Sequence, residues 1–169
     1  YAELQLERFR ETIEQLQRAG IQVPLKHIAN SAAILDMPDS YFDLVRPGVM
    51  MYGYYPSRET TESIPLRPAM TLQTQVHYVK TIERGESVSY GRQFIAREKT
   101  NIATLPVGYG DGYNRLLSNC GEVLIHGQRF PVVGRVCMDM ILVDLGGCAD
   151  VAIGDEAVLF GRQGDQWIT

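Results

Sequence analysis

GEVLIHGQRFPVVGRVCMDMILVDL, residues 121–145, decides how the second half of this chain folds. Apolar and polar side chains alternate along it, which is the period of a β strand with one buried face. His126-Gly127-Gln128 interrupts the alternation where a tight hairpin turn is expected. We therefore predict a mostly antiparallel β domain over 68–169, incomplete at its C-terminal end. The same pattern recurs in residues 69–82, 101–109 and 156–161, with turns at Gly146-Gly147 and Gly164-Asp165.

The N-terminal residues have a helical period. Apolar residues recur at steps of four and three and end before Gly20, which favours a helix stop. One face of a helix is therefore predicted to carry Ala2, Leu6, Phe9, Ile13 and Leu16.

The rest of residues 1–55 alternates between strand and helix signals. The apolar stretch 21–29 predicts a strand, and Asn30-Ser31 predicts the N-cap of a short helix reaching about Leu35. VRPGVMMYG (45–53) predicts a buried strand or the exit from one. This order is typical of a parallel α/β sheet or barrel. The polar, proline-marked residues 56–67 are predicted to be a linker.

Composition argues against several classes of function. The 169 residues carry a net charge of −4 with acidic and basic residues interspersed, so no basic patch favours nucleic acid. No run of about 18 apolar residues predicts a membrane span. The three histidines lack the paired spacing of metal ligands, which argues against a metal enzyme. Cys120, Cys137 and Cys148 match no zinc or redox pattern, so we predict reduced thiols in a cytoplasmic protein.

Two segments of the first half place polar groups where a predicted strand ends. KHIANS (26–31) brings a hydroxyl and free backbone N–H groups to a helix N-terminus, which fits either a phosphate site or simple helix capping. VRPG (45–48) sets Arg46 in an apolar run, where an arginine either contacts a ligand or forms an ordinary salt bridge.

Three segments of the β domain combine glycine with aromatic or polar residues. Each one alone is explained as well by a tight turn with a supporting side chain. They are SYG (89–91), GYGDGY (108–113) and GRVCMDM (134–140).

Taken in order, KHIANS, VRPGVMMYG, SYG, PVGYGDGY and VGRVCMDM resemble the alanine racemase family, and the resemblance covers essentially the whole chain. It implies a TIM-like (β/α)8 barrel that holds pyridoxal 5'-phosphate, followed by a β domain that closes the site of the partner subunit. Residues 1–55 are then the C-terminal remnant of the barrel and 68–169 the β domain. The implied reaction interconverts L- and D-alanine by a two-base lysine and tyrosine mechanism and supplies D-alanine for peptidoglycan.

The resemblance also implies which residues bind the cofactor. Ser31 and the backbone N–H groups of Gly48 and Val49 match phosphate-binding positions. Arg46 matches the arginine that faces the pyridine nitrogen, where a permanent positive charge disfavours protonation and limits side reactions such as transamination. His27 matches a histidine that positions Arg46, although a buried structural histidine is an open alternative.

Tyr90 matches the catalytic tyrosine, which serves one face of the α-carbon while a lysine serves the other. Tyr109, Met138 and Asp139 match positions around the substrate, with Met138 acting through its backbone N–H. Because these residues serve the partner's barrel, the resemblance implies a homodimer with shared active sites.

The sequence departs from the family in one respect that matters for activity. Its lysines are Lys26, Lys80 and Lys99, and none lies in the family's Schiff-base lysine motif near the start of the barrel. The sequence opens without Met inside a helical pattern and stops as a strand begins, so we expect a piece of a longer protein. Two alternatives stay open: a broad-specificity or serine racemase of this family, or a non-catalytic β module for self-association.

We predict that the 169-residue chain alone neither racemises alanine nor attaches the cofactor covalently, because it lacks the matching lysine. The test mixes the purified chain with pyridoxal phosphate, reduces with borohydride and maps any modified lysine by mass spectrometry. Specific labelling of one lysine, or measurable racemisation, would show that the lysine has been misplaced.

Overall fold

The computed structural model describes residues 1–168. The chain divides into two compact units, here called the N-terminal unit (Tyr1–Ala69) and the β unit (Met70 onward). Within the described residues, no helix combines the length and apolar character that crossing a bilayer requires. In the same residues, no three His, Cys, Asp or Glu side chains are grouped closely enough to hold a metal ion.

The N-terminal unit begins with the predicted amphipathic helix, α1 (Ala2–Arg18). Leu6 is buried, and Phe9, Ile13 and Leu16 are half-buried on the same face, whereas Ala2 is exposed. Ala19 caps the helix. Gly20 follows at φ +75°, a conformation that glycine adopts without strain. The helix prediction is confirmed.

The short second helix is also confirmed, as α2 (Ser31–Asp36). Its N-cap is Asn30, whose side-chain oxygen accepts a hydrogen bond from the Ala33 N–H at 3.0 Å. Met37 closes the helix, and a 3₁₀ turn, Pro38–Ser40, follows because proline cannot continue the α-helical ladder.

The strand predicted over 21–29 is wrong, and the stretch 45–53, predicted as a buried strand or the exit from one, is not a strand. No strand forms over 21–29 or 45–53, and Val49–Tyr52 is instead a 3₁₀ turn. Two backbone hydrogen bonds, Asp43 N–H to Lys26 O and Arg46 N–H to Ala29 O, both 3.0 Å, align these stretches in parallel at a constant offset. A pair of stretches with no further strand beside it is marginal as a sheet, since independent stability needs three or more strands or a packed helix. The barrel part of the expected fold is therefore not visible here.

The β unit is the predicted antiparallel domain. Every strand pair in it is antiparallel. The main sheet has the order β1-β9-β6-β7-β8-β5-β2, β10 extends β9, and β3 pairs only with β4. The strands are β1 (Leu72–Gln75), β2 (Tyr78–Ile82), β3 (Ser87–Val88), β4 (Phe94–Ile95), β5 (Thr100–Leu105), β6 (Glu122–Ile125), β7 (Gln128–Val133), β8 (Ile141–Gly146), β9 (Glu156–Gln163) and β10 (Gln166–Ile168).

The main sheet closes on itself at the junction of β1 and β2. The buried Val76 donates its N–H to Asp155 O at 2.8 Å, beside β9, and the next residue, His77, donates to Thr104 O at 2.9 Å, on β5. One continuous stretch of chain therefore joins both edges of the sheet. Closure leaves no long unpaired edge in the main sheet.

The interior of this closed sheet is filled by the inward-facing side chains of the alternating strands. Leu105, Val123, Ile125, Val132, Ile141 and Val143 are almost completely buried in this main core, whereas Ile102 faces a second, smaller cluster with Ile82, Val88, Ala96 and Val133.

The hairpin predicted at residue 126 joins β6 to β7. His126 and Gly127 have φ values of +52° and +72°, as a two-residue turn with two left-handed positions requires.

We expect Leu105→Ala to lower the free energy of unfolding of the β unit by about 2–5 kcal/mol, because the fully buried side chain leaves a cavity. Leu116→Ala is the matched control: Leu116 is 83% exposed, and its loss should cost less than about 0.5 kcal/mol. Urea unfolding followed by the fluorescence of Trp167, the single tryptophan, measures both. Equal losses for the two variants would contradict the assigned core.

Candidate active site

In the N-terminal unit the structure brings the predicted phosphate-binding residues together. Ser31 is buried at the start of α2, and its hydroxyl oxygen accepts a hydrogen bond from the Gly48 N–H at 2.8 Å. Val49 begins the adjoining 3₁₀ turn. Within residues 1–168 the Ser31 hydroxyl hydrogen has no acceptor. The Ser31 hydroxyl hydrogen and the N–H of Val49 could bind an anion such as a phosphate group, whereas the Gly48 N–H is engaged by Ser31 Oγ.

Arg46 is exposed and donates from Nη2 to the Ile28 carbonyl at 3.3 Å. It forms no ion pair within the described part of the chain, so the salt-bridged alternative is not observed. His27 is exposed among the described residues, and its two possible roles stay predictions. No hydrogen bond joins His27 to Arg46 among residues 1–168, so its positioning role stays a prediction.

Lys26, the lysine of the KHIANS segment, is engaged with Asp43. The Asp43 carboxylate accepts hydrogen bonds from the Lys26 N–H at 2.9 Å and from Nζ at 3.0 Å. The backbone hydrogen bond and then the side-chain one lower the pKa of Asp43 below its usual value. This pairing aligns the two extended stretches and gives Lys26 a structural role.

The β unit contains an open cavity of about 740 Å³, and all four of its predicted site residues line it. Tyr90, Tyr109, Met138 and Asp139 come from three separate loops. The sequence did not single out the other residues of the lining as parts of a site. Those residues are Ser89, Arg115, Arg135, Val136, Cys137, Met140 and Leu142.

The loop that carries Tyr90 has an unusual backbone. Ser89 has φ +68° and ψ 169°, a region that is essentially restricted to glycine. Gly91 and Arg92 also have positive φ, of +71° and +51°. A non-glycine residue in such a region costs about 1–3 kcal/mol and is found where surrounding contacts enforce it, often at functional sites. Tyr90 itself is 71% exposed.

The Tyr109 loop and the Met138 loop are joined through their backbones. Tyr109 N–H donates to Cys137 O at 3.0 Å, and Gly110 N–H donates to Met138 O at 2.8 Å. Gly108 permits this approach, since a Cβ there would lie 2.3 Å from Cys137 O. The two loops therefore behave as one body.

Residues 134–138, here called the bracing segment, are held by side chains from two other loops. The N–H groups of Gly134, Arg135 and Val136 donate to Asn119 Oδ1, Ser89 Oγ and Ser118 Oγ at 2.6, 2.9 and 3.0 Å. The same segment accepts the hydrogen bonds from the Tyr109 loop. It is therefore the common support of the loops that line the cavity.

The cavity has a positively charged lining. The Arg115 guanidinium lies 5.8 Å from the centroid of the Tyr109 ring, a cation–π geometry. Neither Arg115 nor Arg135 forms an ion pair within residues 1–168, and Asp139 is the one carboxylate in the lining. Such a lining favours an anionic group of a ligand.

Tyr113, the second tyrosine of GYGDGY, has a structural role. It is buried in the core, and burial, with a smaller contribution from Cys120, raises its pKa to about 12. It therefore stays neutral at physiological pH, and the supporting-tyrosine interpretation of the motif applies to this residue.

We expect Gly108→Ala to lower the free energy of unfolding of the β unit by about 1–3 kcal/mol, because a Cβ would overlap the backbone of Cys137 and Met138. Gly147→Ala is the control, since nothing lies within 4 Å of a Cβ there. Urea unfolding measures both variants. If Gly108→Ala costs no more than Gly147→Ala, the close approach of the two loops is wrong.

Comparisons with known proteins identify the family to which the chain is related. The family model described as "Alanine racemase, C-terminal domain" matches residues 69–169, and "Alanine racemase, N-terminal domain" matches residues 1–56. "Alanine racemase 2" of Caldanaerobacter subterraneus subsp. tengcongensis is 48% identical over 169 residues, which is 100% of this chain and 44% of that protein.

Solved structures give the same result. The alanine racemase of Clostridium difficile 630 in complex with cycloserine superimposes with a TM-score of 0.92 at 41% identity, covering 96% of this chain and 44% of that one. The alanine racemase of Bartonella henselae with covalently bound pyridoxal phosphate gives 0.76 at 34% identity, covering 90% and 43%. This chain thus spans less than half the length of these relatives. Family models, sequence relatives and solved structures agree, and the chain belongs to the alanine racemase family.

Proposed function

We propose that the full-length protein carrying this chain is a pyridoxal-phosphate-dependent alanine racemase that interconverts L- and D-alanine and supplies D-alanine for peptidoglycan. The observation that carries the proposal is the cavity of the β unit, where Tyr90, Tyr109 and Met138 meet from three loops. Family membership names the reaction, and this arrangement supplies the groups that it needs.

Racemisation requires a proton to leave one face of the α-carbon and another to arrive on the opposite face. When bound, pyridoxal phosphate acts as an electron sink that acidifies the α-hydrogen of an amino acid. Tyr90 can carry one of the protons on its Oη, because its phenol is exposed to the cavity and has no hydrogen-bond partner within residues 1–168. The lysine for the other face lies outside this sequence.

The N-terminal unit fits the phosphate group of this cofactor. The buried Ser31 hydroxyl has a hydrogen to donate and the Val49 N–H lies beside it, whereas the Gly48 N–H donates to Ser31 Oγ and would have to exchange this acceptor for a phosphate oxygen. The exposed guanidinium of Arg46 has no anionic partner within the described residues, so it is free to face the pyridine nitrogen. His27 lies close in sequence, and we propose that it positions Arg46.

The β unit fits the carboxylate of the substrate. Met138 lines the cavity and its N–H has no acceptor within residues 1–168, so this N–H is available to donate to a carboxylate oxygen. The cationic side chains of Arg115 and Arg135 favour the same negative charge. Tyr109 and Asp139 complete the polar lining.

We propose a cytoplasmic homodimer with two shared active sites, in which the β unit of each subunit serves the barrel of its partner. The three cysteines are unpaired in the structure, as suits a reducing compartment. Because each site would then need residues of both subunits, dissociation should abolish activity.

We expect Tyr90→Phe in the full-length protein to lower kcat for alanine racemisation by about 10²–10⁴-fold, the range for loss of a general acid–base group. Tyr78→Phe is the control: Tyr78 is an exposed tyrosine on β2 that does not line the cavity. An assay that couples D-alanine formation to D-amino-acid oxidase measures both. Full activity of Tyr90→Phe would remove Tyr90 from the reaction.

A further inference from the structure

We propose that Ser89 is a positioning residue that fixes Tyr90 for proton transfer, an inference that rests on the function proposed above. Ser89 precedes Tyr90 in the chain, lines the same cavity and does not itself need to touch the substrate. Its role is to set the place from which the Tyr90 phenol reaches the α-carbon.

The backbone of Ser89 is strained. Its φ of +68° and ψ of 169° belong to a region that glycine occupies without strain and that a residue with a Cβ avoids. A glycine here would relax the loop, and yet the chain carries a serine. The hydroxyl therefore contributes something that a glycine could not.

The Ser89 hydroxyl makes two hydrogen bonds with the backbone of Arg135. Ser89 Oγ accepts a hydrogen bond from the Arg135 N–H at 2.9 Å and donates one to the Arg135 carbonyl at 3.1 Å. Both bonds go to the bracing segment, which also carries Met138. The hydroxyl thus fixes the Tyr90 loop relative to the proposed carboxylate donor.

Gly134 and Ser89 are also packed closely against each other. Gly134 has φ +73°, and a Cβ on it would lie 2.3 Å from Ser89 Cβ. The Gly134 backbone is therefore packed directly against the Ser89 side chain. On the far side of Tyr90, Arg92 Nε donates to Ser87 Oγ at 3.0 Å. The loop is held at both ends.

The position of Tyr90 depends on these supports because its own side chain has none. It is 71% exposed and makes no hydrogen bond within residues 1–168. If the Ser89 hydroxyl is lost, the hydrogen bond from Arg92 to Ser87 remains within the loop, but the hydrogen bonds that tie Tyr90's neighbour to the bracing segment are gone.

The test compares Ser89→Gly and Ser89→Ala in the full-length protein, with Ser57→Gly as control. Ser57 lies in the N-terminal unit, and its hydroxyl accepts only the Glu59 N–H. Thermal unfolding, kcat and KM for alanine, and exchange of the α-hydrogen of each enantiomer with solvent deuterium are measured. The two Ser89 variants differ in backbone strain but both lack the hydroxyl.

We expect Ser89→Gly to unfold at a temperature no lower than Ser89→Ala, since both variants lack the hydroxyl and its two hydrogen bonds and only the glycine relieves the backbone strain. Its kcat should still fall by about tenfold to a hundredfold, as misplacement of a catalytic group does, with KM nearly unchanged. Exchange should slow mainly for the one enantiomer whose α-hydrogen Tyr90 serves. Ser57→Gly should change none of these quantities.

Unchanged kcat in Ser89→Gly overturns the proposal. The proposal is also overturned if kcat falls only in proportion to the loss of thermal stability and exchange of the α-hydrogen slows equally for both enantiomers. If the unmodified protein does not racemise alanine, the proposed function fails, and NMR of ring-labelled tyrosine in the chain then tests Ser89 separately. There, Ser89→Gly should sharpen the Tyr90 ring signals through added motion, and identical signals would again overturn the positioning role.

Discussion

The candidate site depends on one structural constraint, the anchoring of the bracing segment (134–138) by hydrogen bonds from loops that are distant in sequence. Three consecutive N–H groups of this segment end on the side chains of Asn119, Ser89 and Ser118. Two of its carbonyls accept N–H groups from the Tyr109 loop. Each bond contributes about 1 kcal/mol net. Together these bonds hold the loops that line the cavity in fixed positions relative to one another.

The closed sheet explains why this segment can serve as an anchor. It lies between β7 and β8, two neighbouring strands whose inward side chains are buried in the core. Because β1 and β2 join both edges of the sheet, the strand ends have fixed positions. The scaffold is therefore rigid, and the reactive phenol of Tyr90 is carried by an exposed loop that can meet a ligand. The N-terminal unit is the opposite case, because two parallel stretches with few neighbours cannot form a sheet.

Local sequence patterns predicted those elements whose structure depends mainly on neighbouring residues in the chain. Alternation predicted the strands of the β unit, the His126-Gly127 turn followed from backbone preference, and Asn30 marked a helix start. The strand over 21–29 failed because a strand is defined by its neighbours. Tyr90, Tyr109 and Met138 were found from the order of motifs. Ser89 and Arg135 lie in the quoted motifs SYG and GRVCMDM, but their roles were missed because the contact between them spans 46 residues. Arg115 lies outside the motifs and was missed because exposed arginines are common.

Amide hydrogen exchange of the 169-residue chain tests the bracing segment most directly. Five loop amides should be protected from exchange as strongly as the amides of β7 and β8. They are those of Tyr109, Gly110, Gly134, Arg135 and Val136. Met138, whose N–H has no acceptor within residues 1–168, should exchange rapidly in the same sample. If the five amides exchange as fast as Met138, the loops are independent and the shared wall of the site does not exist.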